Sequence, residues 1–262
     1  VSEIHIIWEG LPWFILVLIR VGAVFFSMPI LGSRSIPLPA RVGLALALSW
    51  ALFPLVRPDD ALHGSPPVGQ SWGLAAVREL LVGLTLGWTV NFLLAAVPLA
   101  GQLLGFQMGL GLANIMDPLG QQQLSVPAQF LNLLALWLFL SLNGHYLVIS
   151  ALVESFQWWP LAGGGSVGRG GWGALALGAG RHIFTSALIV AAPVTLVLLT
   201  LQVALGIVAR TVPQMNVFFV AIPLQIGLGL AAIGAFLRFF APWMARELSW
   251  LKGILSALAG AG

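Results

Sequence analysis

Residues 80–118 read LLVGLTLGWTVNFLLAAVPLAGQLLGFQMGLGLANIMDP, and the first charged side chain in the stretch is Asp117. From Leu80 to Met116 roughly 37 residues pass without a charge, studded with glycines and closed by Asp117-Pro118. As one straight helix they would measure about 55 Å, against a hydrocarbon core of about 30 Å. One ordinary membrane span is therefore excluded. The segment must bend, fold back, or continue into surroundings made of protein.

The rest of the chain shares this character. Hydrophobic residues make up 59% and charged residues 7%, where a soluble domain carries about 25% charge, and mean hydropathy is +1.00. A water-soluble fold of this size could not cover its surface with so few polar groups. The net charge of +3 is spread thinly, and no run of Lys or Arg suggests nucleic acid as a partner. With no cysteine, disulfides, thiolate metal sites and cysteine nucleophiles are excluded. Glu3 and Glu9 precede Leu11 with no basic residue among them, so the first apolar segment reads as a retained helix and not as a cleaved signal peptide.

Apolar segments cover residues 11–31, 38–56, 72–116, 126–156, 172–208 and 215–242, all long enough to be helices. The breaks are explicit: Gly32-Ser33-Arg34-Ser35 before Pro37, residues 57–71 with Asp59-Asp60 and Pro66-Pro67, residues 117–123, the glycine-rich 163–171, and 210–213. Residues 243–258 form an amphipathic tail helix. Met244, Leu248, Leu251, Leu255 and Leu258 fall on one row, while Arg246, Ser249, Lys252 and Ser256 lie off it. Such a tail either lies on a membrane surface or packs on a partner.

Charge placement does not fit a simple serpentine of lipid-facing spans. Basic residues flank connections on both nominal sides, so the positive-inside rule gives no clean orientation. Arg20 sits in the middle of the first segment and Arg181-His182 inside the fifth, where a charge exposed to lipid costs at least about 2.5 kcal/mol. Asn91, Gln102, Gln107, Asn114, Asn132, Asn143, Gln202 and Gln225 also fall within apolar runs. An amide facing hydrocarbon leaves donors and acceptors unpaired, so these side chains are expected to face protein or water. Gly83 and Gly87, then Gly101, Gly105 and Gly109, are spaced four apart, which leaves a flat strip for close helix approach within or between subunits.

No catalytic constellation appears. His5, His63, His145 and His182 are scattered, pair with no carboxylate at metal-ligand spacing, and read as loop or packing residues. Neither a nucleophile elbow nor a zinc-protease or phosphate-loop pattern is present. Arg78-Glu79 reads as a self-neutralising pair at a helix start or as an intersubunit salt bridge. Asp117 before Pro118 reads first as a turn and cap, with a proton-relay carboxylate as the alternative.

Three blocks of residues resemble a known family. Ala100-Gly101-Gln102, Gly105-Phe106-Gln107-Met108-Gly109 and Asp117-Pro118 form the first block. Leu142-Asn143-Gly144-His145 is the second, and Val212-Pro213-Gln214-Met215-Asn216-Val217-Phe218 with Pro223 is the third. In this order and spacing they look like the FliR family of flagellar type III export-gate proteins, whose injectisome counterparts are usually called SctT. The resemblance covers essentially the whole chain. Thr211 and Ala221-Ile222 depart from common family residues, which touches fine packing and not membership.

The resemblance implies an all-α, membrane-associated bundle of long, bent helical hairpins. About 1–171 would be FliP-like and about 172–262 FliQ-like. One such subunit would assemble with several copies of FliP and FliQ homologues into a helical conduit standing largely above the bilayer plane. The implied setting is the bacterial inner membrane within the flagellar basal body, beside FlhB and FlhA homologues. Unfolded flagellar proteins would be the cargo, and neither enzyme activity nor a cofactor or metal is implied.

Under the same resemblance, residues 80–116 become helices bent at Pro98 and near 109–111, followed by a loop that reaches the pore axis and seals the resting channel. That loop maps onto about residues 109–123. Gly109 and Gly111 would supply backbone freedom, and Leu112, Ile115 and Met116 an apolar plug. Asn114 and Asp117-Pro118 complete the loop, and Gln121, Gln122 and Gln123 would line a wetter part. Gly101, Gln102, Gly105, Gln107, Asn143, Gly144, His145, Pro213, Gln214 and Asn216 would serve helix packing or intersubunit contact. Two other classes remain open at this level. A secondary transporter should show an inverted repeat and a convergent charged site, neither of which is found, and an inert scaffold would need no mobile glycine segment.

Overall fold

The computed structural model describes residues 2–29, 36–56, 72–111, 124–161, 171–212, 214 and 216–260, and every regular element among them is a helix. In chain order these are α1 (Ser2–Ser27), α2 (Leu38–Val56), α3 (Trp72–Gln107), α4 (Val126–Ser141), α5 (Gly144–Trp158), α6 (Gly171–Thr211) and α7 (Val217–Gly260). The all-α expectation holds. Among the described residues, five helices are long and apolar enough to cross a membrane, and α4 with α5 can make a sixth, broken span.

Three helices exceed any bilayer. α3, α6 and α7 have 36, 41 and 44 residues, or about 54, 62 and 66 Å at 1.5 Å per residue. Part of each must therefore stand outside the hydrocarbon. Hydroxyls within them are accommodated by their own backbone: Thr89 donates to Thr85 O at 2.8 Å and Thr200 to Leu196 O at 2.8 Å, which removes the cost of an unpaired group in apolar surroundings.

Element boundaries differ from the sequence reading in three places. α3 runs unbroken through Pro98 to Gln107, so the turn comes only at 108–111. The segment 126–156 is two helices, because Asn143 adopts a left-handed conformation (φ 58°). Asn tolerates that region better than other residues with a Cβ, and a helix cannot continue through it. The carbonyl of Asn143 then accepts from Tyr146 N and Leu147 N to start α5. At the other end, 215–242 and the tail form the single helix α7. The tail is amphipathic over its described part, with Met244, Leu248, Leu251 and Leu255 buried and Arg246, Ser249, Lys252 and Ser256 exposed; the chain itself covers that apolar row, where the sequence predicts a membrane surface or a partner.

The chain divides into two compact units. The first comprises Val1–Phe92, Asn143–Leu177 and Ser249–Gly262. Within it α1 packs on α2, where Phe14 meets Phe53 edge-on at 5.7 Å, and on the first half of α3, where Trp13 meets Trp72 at 5.6 Å. Gly83 and Gly87 make the second contact possible. A Cβ at Gly83 would stand 2.6 Å from Ala23 Cβ, and one at Gly87 would stand 2.8 Å from Ser27 Cβ.

The second unit comprises Leu93–Leu142 and Gly178–Leu248. Here the later part of α3 packs on α4 through Gly101 and Gly105. A Cβ at Gly101 would lie 2.8 Å from Ala128 N, and one at Gly105 would lie 2.6 Å from Ser125 Cβ. The glycine strip is thus filled by the chain's own helices, α1 at one end and α4 at the other.

Candidate functional site

The site with the most specific geometry is the base from which residues 112–123 depart. Those residues carry Leu112, Asn114, Ile115, Met116, Asp117, Pro118, Gln121, Gln122 and Gln123 of the expected gate, and they lie outside the described residues. Their two feet, Gly109–Gly111 and Leu124–Ser125, are described, and both belong to the second unit.

The first foot is a helix C-terminus of defined type. Gly109 N donates to Phe106 O at 3.1 Å and Leu110 N to Gly105 O at 3.0 Å, while Gly109 takes φ +78°. This paired 5→2 and 6→1 pattern around a left-handed glycine is a Schellman motif. It satisfies carbonyls that the end of α3 would otherwise leave open. Gly109 thus ends α3 in a backbone conformation that residues with a Cβ rarely adopt. Gly111 is buried against the Phe106 ring, with a would-be Cβ 2.7 Å from ring atom Cε1.

The second foot is held by α3. Ser125 N donates to Gln102 Oε1 at 3.2 Å, and Ser125 Oγ donates to Gly101 O at 3.3 Å. Ser125 is the N-cap residue of α4, and Gln129 Nε2 closes back on Leu124 O at 3.0 Å. Gln102, an amide inside an apolar run, thus tethers the returning chain to the helix that sent it out. Both feet stand on residues 101–111.

α7 lines the first foot. A Cβ at Gly109 would lie 3.9 Å from both Gln225 Oε1 and Ile222 Cγ1, while Met108 fills the space left by the missing side chain of Gly229. Met108 is fully buried. Gln107 Oε1 is also buried and has no hydrogen-bond partner among the described residues.

The remaining candidates are dispersed. Asn143 is exposed and Gly144 buried at the α4–α5 break, and His145 Nδ1 is buried without a hydrogen-bond partner among the described residues. Pro213 lies outside the described residues, and Gln214 is exposed. Asn216 is exposed and caps α7, its Oδ1 accepting from Phe218 N at 3.2 Å.

Two polar clusters went unread in the sequence because their members are far apart along the chain. In the first unit Arg20 pairs with Glu79, donates to Ser155 Oγ at 3.1 Å and to Trp159 O at 2.8 Å, and lies 4.1 Å from the centre of the Phe156 ring. Arg20 and Glu79 are both buried, so Glu79 is neither neutralised by Arg78 alone nor held for another subunit. In the second unit His182 Nε2 lies 2.6 Å from Glu247 Oε2, and Ser186 Oγ stands 3.2 Å from the same nitrogen and donates to Glu247 Oε1 at 3.0 Å. His182 is thus not only a packing residue: it has a carboxylate partner, 65 positions along the chain. The cluster is not a nucleophilic triad, since serine and carboxylate share one ring nitrogen where a triad needs the two opposite ones. Glu79 with Arg20 and Glu247 with His182 were findable only by asking which charges in apolar runs need partners.

Comparison with known proteins finds relatives that match most of the chain. The chain is 36% identical over 240 residues to the flagellar biosynthetic protein FliR of Escherichia coli, covering 91% of this chain and 89% of that protein. It is 36% identical over 216 residues to FliR of Bacillus subtilis, covering 82% of each. With FliR of Pectobacterium carotovorum it shares 32% identity over 253 residues, covering 95% of this chain and 94% of that protein. Residues 11–250 match the bacterial export proteins, family 1, and the chain belongs to that family.

Proposed function

We propose that this protein is the FliR-type subunit of a flagellar type III export gate, assembling with FliP and FliQ homologues beside FlhA and FlhB homologues in the bacterial inner membrane. Its N-terminal part to about residue 171 takes the FliP-like role and the remainder the FliQ-like role. Unfolded flagellar proteins pass through the shared conduit, and residues 109–123 help to seal it at rest. Membership of an export family supports the export role, and the flagellar names of the relatives favour the flagellum over an injectisome. The observation that carries the gate reading is the pair of feet. A segment whose sequence includes the apolar residues Leu112, Ile115 and Met116 is anchored at both ends to one helix, by the Schellman turn at Gly109 and the Gln102–Ser125 tether.

A deletion tests it. Removing residues 114–121 leaves both feet and the α3–α4 packing in place, so the complex should assemble, while cells should leak ions or small solutes. Met116→Ala should leak less, because neighbouring apolar side chains refill the gap. Complex yield is measured beside the leak. Assembled complexes that stay tight would place the seal in another subunit.

A further inference from the structure

α7 presents Ile222, Gln225 and Gly229 at helical spacing to the end of α3, and the contact is a side chain in a notch. Met108, the last residue before the left-handed Gly109, is fully buried. A Cβ on Gly229 would lie 2.8 Å from both its Cε and its Cγ and 2.9 Å from its Sδ. Real Cβ atoms do not approach so closely, and three atoms of one side chain are involved. These atoms are the flexible end of the methionine, so Met108 makes room only by changing rotamer or by leaving the notch. Gly227, on another face of the same helix, has nothing within 4 Å of its would-be Cβ, so the space at Gly229 belongs to that position and not to a generally small helix.

We infer that Gly229 is a positioning residue of the gate: the notch it leaves in α7 seats Met108 and thereby sets where the chain leaves α3 at Gly109. The inference rests on the gate reading above. Because the turn at 108–110 is closed by its own hydrogen bonds, whatever part of the Met108 displacement its side chain does not take up is carried by its backbone into the foot as a unit.

The test uses the assembled complex, with leak scored per complex recovered. Gly229→Leu should raise the resting leak several-fold at near-normal yield, and adding Met108→Ala, which vacates the space the new side chain needs, should restore tightness. Gly229→Ala, with the same contacts but less bulk, should give a smaller leak and serves if the leucine variant does not assemble. Gly101→Ala is the structural control: its Cβ meets the backbone of Ala128, so it should lower yield without raising the leak of what assembles. Tight complexes from both Gly229 variants, beside a leaking 114–121 deletion, would overturn the positioning role and leave the gate reading standing. Leak from a Gly229 variant that Met108→Ala does not reduce would also overturn it. If the deletion itself stays tight, the gate reading falls, and this role with it.

Discussion

Arg20 shows what a single residue decides in this chain. A guanidinium in the middle of an apolar segment is costly wherever it faces lipid, and here it is buried, with Glu79, Ser155 and the Trp159 carbonyl taking its donors. Such a pair is weak evidence for net stability, because desolvating both ions offsets much of their attraction. Removing one partner is another matter. Glu79→Gln leaves the guanidinium buried without its countercharge and should destabilise the subunit by about 3 kcal/mol. Thermal melting of the detergent-solubilised protein should show the drop. The double change Arg20→Met with Glu79→Met, which removes both charges at similar volume, should recover most of it. A single variant as stable as the parent would mean that water reaches the pair.

At the scale of elements, the glycine strip of α3 is read differently once its partners are known. Spacing alone leaves open whether Gly105 meets another subunit or the same chain, and the strip by itself leads one to expect that Gly105→Leu harms assembly more than expression. The structure places Ser125, the N-cap of α4, directly over Gly105. Gly105→Leu should therefore misplace α4 and the Gln102–Ser125 tether within the subunit, and expression and complex yield should fall together. The overpacking cost is about 1–3 kcal/mol or more where backbone must move. Normal expression with failed assembly, read from membrane fractions and a native gel, would show that α4 leaves this position before partners bind. α7 carries the same lesson with the opposite sign. Its notch is occupied by a flexible methionine and not by backbone, so substitution there perturbs a contact and not a fold.

The whole molecule is distinguished by how much large apolar surface it leaves uncovered. Leu196 and Val203 on α6 are 65% and 66% exposed, whereas Leu86 and Leu104 on α3 are 2% and 1% exposed. Uniform lipid contact along every apolar segment is ruled out by that contrast. Lipid-phase photocrosslinking should be weak at Leu86 and Leu104 both in the isolated subunit and in the assembled complex. Labelling is weak even in the free subunit because the chain itself covers both residues. Leu196 and Val203 should label strongly in the isolated subunit and lose label on assembly wherever a partner covers them. Equal strong labelling at all four positions would restore a conventional set of lipid-facing spans.

Composition and segment length by themselves determined the all-α membrane class, since no soluble fold can hide so many apolar residues and no single span can use 36 of them. Ordered motifs at fixed spacing determined the family, and the row of Met244, Leu248, Leu251 and Leu255 determined which face of the tail would be buried. These are local properties, carried by residues near one another in sequence. Tertiary structure alone decided the rest: that the strip Gly83, Gly87, Gly101, Gly105 is filled from within, that Glu79 answers Arg20, that Glu247 answers His182, and that Gly229 receives Met108. Each is a pairing between residues distant along the chain. An apolar helix offers several faces of similar composition, so its sequence says that a glycine or a charge needs a partner without saying which helix supplies it. Only packing, which excludes all but one arrangement by volume and by the need to satisfy buried polar groups, makes that choice.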